Sequence, residues 1–132
     1  MKFLSQEWAD KLREALNANP AYREAGAAWE GEILLLVVPD DLAPKGEGIF
    51  LDLAGGVCRD ARYIPDAVDR PCEFVYQGRR SDWARLLRRE IEPVKALFDG
   101  TFRIKGNLAK AMRFTRAAKE LVDTVARVPA EI

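Results

Sequence analysis

The sequence contains no histidine among its 132 residues. This absence removes the commonest general base, the serine–histidine and cysteine–histidine nucleophile pairs, and most zinc and non-haem iron sites. The glycine-rich pieces 46–48 and 55–56 also lack the spacing of a phosphate-binding loop or a dinucleotide-binding turn. We therefore expect no catalytic residues, no metal site and no cofactor, and a protein that is not an enzyme.

Cysteine is scarce, with only Cys58 and Cys72. If the strands that carry them pair as a hairpin around residues 65–70, the two lie about five residues out of register. That offset is roughly 17 Å at ~3.3 Å per residue, which is too long for a disulfide. We interpret both as small buried hydrophobes with free thiols. Cys58 is the one candidate nucleophile, because the adjacent Arg59 is of the kind that lowers a thiol pKa.

The chain has no excess of charge of either sign, since 21 basic residues balance 21 acidic ones. It has no overall field to hold nucleic acid or an anionic membrane, so we expect no nucleic-acid partner and at most transient membrane contact. The longest apolar run, Ile33 to Pro39, is far shorter than the ~20 residues of a membrane-spanning helix. No signal-peptide pattern follows Met1. These features predict a cytoplasmic protein with one domain over residues 1–132.

Apolar periodicity predicts the order helix, four strands, two helices, one strand and a final helix. The predicted helices cover residues 5–18, a segment capped by Ser81, a segment from Pro93, and a segment from Asn107 to about Arg127. A short helical piece around residues 22–28 follows the first helix. The predicted strands cover residues 32–38, 48–54, 57–64, 72–77 and 101–105. The first four strands suggest a meander, and the fifth is expected to pair in parallel at an edge or beside the first. The fold class is α+β, with a five-stranded, mostly antiparallel sheet and helices covering one face.

The final predicted helix has an unusually broad apolar side. Its apolar arc contains Ala111, Phe114, Ala118, Leu121, Val122 and Val125, and Leu108 and Met112 extend it. The preceding segment, between Trp83 and Ile104, is also rich in large apolar residues. Such groups either line a cavity or fill a core, and composition and spacing do not choose between the two.

Four motifs in the C-terminal half occur in a specific order. They are the strand CEFVYQG (72–78), the tryptophan-bearing helix SDWARLL (81–87), the Pro-x-x-Ala segment EPVKAL (92–97), and the glycine-flanked strand GTFRIKGNL (100–108) that opens a helix. This order resembles the type-2 sterol carrier protein family, in its sterol-binding domain. The specific part of the resemblance covers roughly residues 72–112, and the N-terminal half matches in element order only.

The resemblance implies a hydrophobic tunnel between sheet and helices. It also implies a non-enzymatic carrier of sterols, fatty acids, fatty acyl-CoAs or phospholipids. The residues implied to line the tunnel are Trp83, Leu86, Leu87, Leu97, Phe98, Phe102, Ile104, Leu108 and Met112. Phe74 and Tyr76 are weaker candidates, because either face of their strand could meet the helices. The cations Lys110, Arg113 and Arg116 meet either a ligand headgroup or water.

A second interpretation stays open at this point. The broad apolar helix face could bury a protein partner instead of a ligand, which would make the chain an accessory module of a lipid or quinone pathway with a filled core. Under the carrier interpretation we expect a hydrophobic small-molecule ligand and a monomer or weak homodimer. The short helices between Trp83 and Phe98 are then the expected lid.

Overall fold

The chain forms a five-stranded sheet with helices packed against one face, in a computed structural model that describes residues 2–131. The helices are α1 (Gln6–Asn17), α2 (Pro20–Ala25), α3 (Arg80–Leu87), α4 (Pro93–Phe98), α5 (Leu108–Arg113) and α6 (Thr115–Arg127). The strands are β1 (Glu30–Val37), β2 (Glu47–Ala54), β3 (Val57–Pro65), β4 (Phe74–Gly78) and β5 (Arg103–Lys105). The predicted α+β class and the mostly antiparallel sheet are confirmed.

The strand order is β3-β2-β1-β4-β5, and β1 pairs with β4 in parallel. The predicted meander is therefore wrong, because β4 lies beside β1 and forms no hairpin with β3. The connection between β3 and β4 instead crosses the sheet on the side away from the helices. There Ala67 is fully buried in a small cluster with Leu34, Leu36 and Phe50. A hairpin would have left this apolar surface in water.

The central strand β1 is buried on both faces, as its aliphatic run predicts. Ile33, Leu35 and Val37 point towards the helices, whereas Leu34 and Leu36 point to the other side. The register places Ile33 beside Phe74 and Leu35 beside Tyr76. Phe74 and Tyr76 consequently face the helices, which settles the ambiguity that the sequence left.

The third and final predicted helices differ in detail from the structure. Helix α3 begins at Arg80 with Arg79 in the cap position, so Ser81 lies inside the helix and does not cap it. Asn107 caps α5 as predicted, because its side chain accepts a hydrogen bond from the Lys110 amide. The predicted helix to Arg127 is broken at Phe114, whose backbone leaves the helical region and whose ring packs edge-on against Trp29 at 5.1 Å.

Strand β5 lies at the sheet edge, but it pairs antiparallel with β4. The expected parallel pairing is wrong because α4 and the turn at Gly100 reverse the chain before the strand begins. Gly106 then adopts a φ of +138°, where an added Cβ would meet the Glu73 carbonyl oxygen at 2.6 Å. The glycine thus permits the sharp change from strand to helix.

Candidate functional site

An apolar cavity of about 240 Å³ lies between the sheet and the pair α4 and α6. Its floor is formed by β1, β4 and β5, and its walls by the two helices. The lining residues are Ile33, Leu35, Tyr76, Pro93, Val94, Leu97, Phe98, Ile104, Thr115, Ala118, Lys119, Leu121 and Val122. Phe98, Thr115 and Lys119 are exposed to solvent, and we call the part of the rim that they form the mouth.

A second, smaller hollow of about 30 Å³ adjoins the first. The two share four lining residues, namely Ile33, Ile104, Ala118 and Leu121. Trp29, Phe74 and Phe114 form much of the remaining wall of the smaller hollow. A shift of a few side chains would therefore join the two spaces.

The nine residues that the sequence nominated for the tunnel divide into three groups. Leu97, Phe98 and Ile104 line the cavity. Trp83, Leu86, Leu87 and Phe102 belong to the core around it, Leu87 only partly buried. Leu108 and Met112 are exposed on α5 and line neither hollow.

Several residues that line the cavity lie outside the motif region and were not predicted from the sequence. Ile33 and Leu35 come from the first strand, and Ala118, Leu121 and Val122 come from α6. The usable signal was the apolar arc of the final helix, in which Ala111 and Ala118 are small. Small residues in an otherwise bulky face leave space beside the sheet.

Two buried donor groups in these walls have no hydrogen-bond partner among residues 2–131. They are the Tyr76 hydroxyl, beside the larger cavity, and the Trp29 indole N–H, beside the smaller hollow. Burial raises the pKa of the Tyr76 phenol well above its usual value, so the hydroxyl keeps its proton and is available to donate. Unpaired buried polar groups carry a desolvation cost of about 1–3 kcal/mol.

Lys110 fastens α5 over the end of the smaller hollow. Its Nζ lies 4.7 Å from the centre of the Trp29 ring and 5.8 Å from that of Phe74. The same atom donates hydrogen bonds to the Glu30 carbonyl oxygen at 2.6 Å and to Glu73 Oε1 at 3.1 Å. The lysine is therefore bound to protein groups, whereas the sequence left it a choice between headgroup and water.

The cysteines offer no activated nucleophile. Burial raises the pKa of the Cys58 thiol to about 12, and the pKa of the half-buried Cys72 is also raised. The lowered pKa considered for Cys58 is wrong, because Arg59 points away and pairs with Asp52 at 2.9 Å. Both thiols are free, as predicted, although the hairpin register used to argue this does not exist.

A charged cluster where β1 ends and β2 begins has a structural role. Arg80 pairs with Asp40 at 2.8 Å and with Glu47 at 2.6 Å, and Tyr63 donates a hydrogen bond to Glu47. The Arg80 guanidinium lowers the pKa of Asp40, whose carboxylate also accepts from the Leu42 and Ala43 amides. Asp40 is thus a turn residue, as its sequence context predicts.

Neither a metal-binding cluster nor a membrane-spanning helix is found in the part of the chain that the structure describes. Between residues 2 and 131, no group of three or more Cys, Asp or Glu side chains is arranged to hold a metal ion. No helix in that range has the length and apolar character needed to cross a bilayer.

Fold and cavity together define a class of small α+β domains that enclose an apolar space between a mixed sheet and its covering helices. Residues 10–119 match the SCP-2 sterol transfer family, and the chain belongs to that family. It superimposes on a crystal structure of sterol carrier protein 2 with a TM-score of 0.88 and 33% identity, over 97% of this chain and 100% of that one. The family resemblance inferred from the sequence is confirmed.

Two curated relatives match shorter parts of the chain. Stomatin-like protein 1 from Homo sapiens is 29% identical over 100 residues, or 74% of this chain. Non-specific lipid-transfer protein-like 1 from Caenorhabditis elegans is 33% identical over 54 residues, or 41% of this chain. The chain spans 22% of the first protein and 46% of the second. The family is one of lipid carriers, and its match supports lipid or sterol binding by this domain.

Proposed function

We propose that residues 1–132 act as one lipid-binding domain that holds and transfers a hydrophobic ligand without catalysis. The ligand classes are fatty acids, fatty acyl-CoAs, sterols and phospholipids, and the domain works in the cytoplasm as a monomer or weak homodimer. The observation that carries the proposal is the apolar cavity of about 240 Å³ under α4 and α6. Cavities that bind small molecules are typically about 300–1,000 Å³, so a long chain needs a modest opening of the helices.

Burial supplies the binding free energy. Each methylene removed from water contributes ~0.8 kcal/mol, and a dozen of them offset the cost of association at micromolar affinity. The opening that admits the chain is provided by α4, which has six residues and one buried residue, Ala96. We place Leu97, Phe98 and Ile104 in direct contact with the ligand, and Trp83, Leu86, Leu87 and Phe102 behind them. Leu108 and Met112 flank the site on α5.

Filling the cavity should abolish binding. Ala118 contributes to both hollows, so Ala118→Trp places an indole where the chain would lie. We expect at least a tenfold loss of affinity for palmitate and palmitoyl-CoA, measured by native mass spectrometry and fluorescence titration of delipidated protein. The matched control is Ala126→Trp, which puts the same ring on a half-exposed site of α6 outside both hollows.

The outcomes separate the two functions that the sequence left open. A folded Ala118→Trp protein that binds as tightly as the wild type would place the ligand elsewhere. Wild-type protein that takes up no palmitate, palmitoyl-CoA or cholesterol would indicate an accessory module with a filled core. Thermal unfolding of both variants identifies a loss of binding that comes from misfolding.

Tyr76 should select ligands that carry a hydrogen-bond acceptor. Tyr76→Phe removes the unpaired hydroxyl, so we expect the ligand-free protein to unfold at a higher temperature. Affinity for dodecanol should fall about tenfold, because the ligand oxygen loses its donor, while affinity for dodecane should stay within twofold. Equal losses for the two compounds would contradict the hydrogen bond and point to a change in cavity shape.

A further inference from the structure

We propose that the face around the cavity mouth docks on the surface of an anionic lipid bilayer. The docking face consists of six exposed side chains from α4, α5 and the start of α6: Lys95, Phe98, Leu108, Met112, Arg113 and Lys119. Its role in lipid delivery rests on the proposed function, but its binding to a membrane does not.

The docking face exposes three large apolar side chains to solvent. Phe98, Leu108 and Met112 are 88%, 58% and 77% exposed, and each is large. Elsewhere in residues 2–131 the exposed large hydrophobics are Val57 at the start of β3, and Leu42 and Val68 on two loops that the bond from the Val68 amide to the Lys45 carbonyl oxygen joins. Side chains of this size insert readily into the interface between headgroups and acyl chains.

Phe98 lies at the mouth, and the end of α5 adjoins it. Phe98 lines the larger cavity together with Thr115 and Lys119. The Thr115 hydroxyl donates a hydrogen bond to the Met112 carbonyl oxygen at 2.8 Å, so the end of α5 adjoins the same rim. Leu108 lies four residues before Met112 and therefore on the same side of α5. A bilayer against this face would meet the opening of the cavity directly.

The segment that carries the docking face has an excess of basic residues. The chain is neutral, yet residues 94–119 contain seven basic residues and one acidic residue, Asp99. Since the whole chain has 21 of each, the remaining positions hold 14 basic and 20 acidic residues. The neutral total that predicted little membrane contact thus conceals a basic segment, in which Lys110, Arg116 and Lys119 pair with acidic residues from outside it. Each cation near an anionic surface favours binding.

The cations nearest the apolar residues are available for lipid phosphates. Lys95 lies three residues before Phe98, on the same side of α4, and Arg113 follows Met112. Neither forms an ion pair with any residue from 2 to 131. Lys119 at the mouth pairs with Asp123 at 3.0 Å but remains exposed. Arg103 and Lys105 add to the local field, although strand alternation points them away from the cavity.

A pair of double variants with equal chemistry tests the docking face. Met112→Ser/Lys95→Glu removes one apolar anchor and reverses one charge there. Leu42→Ser/Lys45→Glu makes the same two changes on a distant loop, where Leu42 is 79% exposed. Binding of delipidated protein to vesicles of phosphatidylcholine, with and without phosphatidylglycerol, is measured by cosedimentation at increasing salt. None of the four positions lines either hollow.

We expect the wild type to bind vesicles with phosphatidylglycerol at least tenfold more tightly than neutral ones, with an affinity that falls as salt rises. The Met112/Lys95 variant should lose about tenfold, and the Leu42/Lys45 variant should stay within twofold. Equal affinity for the two vesicle types, or equal losses in the two variants, would overturn the proposal. So would binding of soluble glycerol phosphate that depends on Lys95 while vesicles are not bound.

The two proposals, ligand binding in the cavity and membrane binding by the docking face, can be contradicted separately. Ala118→Trp should still bind anionic vesicles, because its cavity is filled but its surface is intact. Met112→Ser/Lys95→Glu should still bind palmitate in solution, while its transfer of palmitate between vesicles slows.

Discussion

Replacing Trp83 by alanine should lower the free energy of unfolding by about 3–5 kcal/mol. The indole is 1% exposed and packs against Phe3, Tyr76 and Phe102 at ring-centre distances of 5.6, 5.8 and 5.0 Å. Its Nε1 donates a hydrogen bond of 3.0 Å to the Leu36 carbonyl oxygen in the central strand. Alanine would leave a large cavity and take the indole donor away from the Leu36 carbonyl oxygen, at the junction of α3 and the sheet.

Urea unfolding checks this value, with Trp83→Phe as the graded control. Phenylalanine keeps an aromatic ring in the cluster but cannot donate to Leu36, so its cost should be clearly smaller than that of alanine. Leu42→Ala, at an exposed position, should change the free energy of unfolding little. A loss below 1 kcal/mol for Trp83→Ala would mean that this cluster does not hold α3 on the sheet.

Alanine at Gly56 should be about as damaging, whereas alanine at the adjacent Gly55 should be tolerated better. Both glycines have a left-handed φ, +62° at Gly55 and +80° at Gly56, which costs a residue with a Cβ about 1–2 kcal/mol. A Cβ on Gly55 meets nothing within 4 Å. A Cβ on Gly56 would overlap the Arg23 carbonyl oxygen and approach its Cα to 3.0 Å.

Comparing the Gly55 and Gly56 variants measures the effect of the contact between the β2–β3 turn and α2. Backbone atoms cannot rotate away as a side chain can, so the overlap at Gly56 should add about 1–3 kcal/mol to the conformational cost. The difference between the two variants in urea unfolding measures that addition. If both variants lose the same amount, the turn does not press against α2 as closely as the structure has it.

The local parts of the fold were predictable because their signals are local. The aliphatic run of β1 has too few polar residues for a strand with a wet face, and Asn107 is a residue type that caps helices. The break at Phe114 had no such signal, since no proline or glycine is near it. It results from packing of Phe114 on Trp29, a residue 85 positions away in the sequence.

The strand order failed for a related reason. Residues 65–71 contain two prolines and two aspartates, which are typical of a hairpin loop. Only Ala67, buried against the back of the sheet, reveals that the segment is a crossover. One alanine in a polar loop is too weak a signal to overrule the composition.

The region of the cavity was predictable from the sequence, but the residues that line it were not. The family motifs cover α4 and β5, and their residues Leu97, Phe98 and Ile104 line one space in the structure. They did not distinguish these from Trp83 and Phe102, because a large apolar side chain is equally suited to a packed core. The strand and helix that complete the cavity, β1 and α6, lie outside the motifs.

Few residue pairs hold β5 in the sheet, and this affects where the domain unfolds locally. Three residue pairs join β5 to β4, whereas eight join β1 to β2. Subglobal unfolding should therefore start at this edge and release α4, β5 and α5 as one unit, while the ladder of β1, β2 and β3 stays closed. The backbone amide hydrogen of Ile104 should exchange with solvent much faster than that of Leu35. A bulky ligand could then enter when this edge opens. The free-energy cost is that of opening the edge alone, which is well below that of unfolding the whole domain.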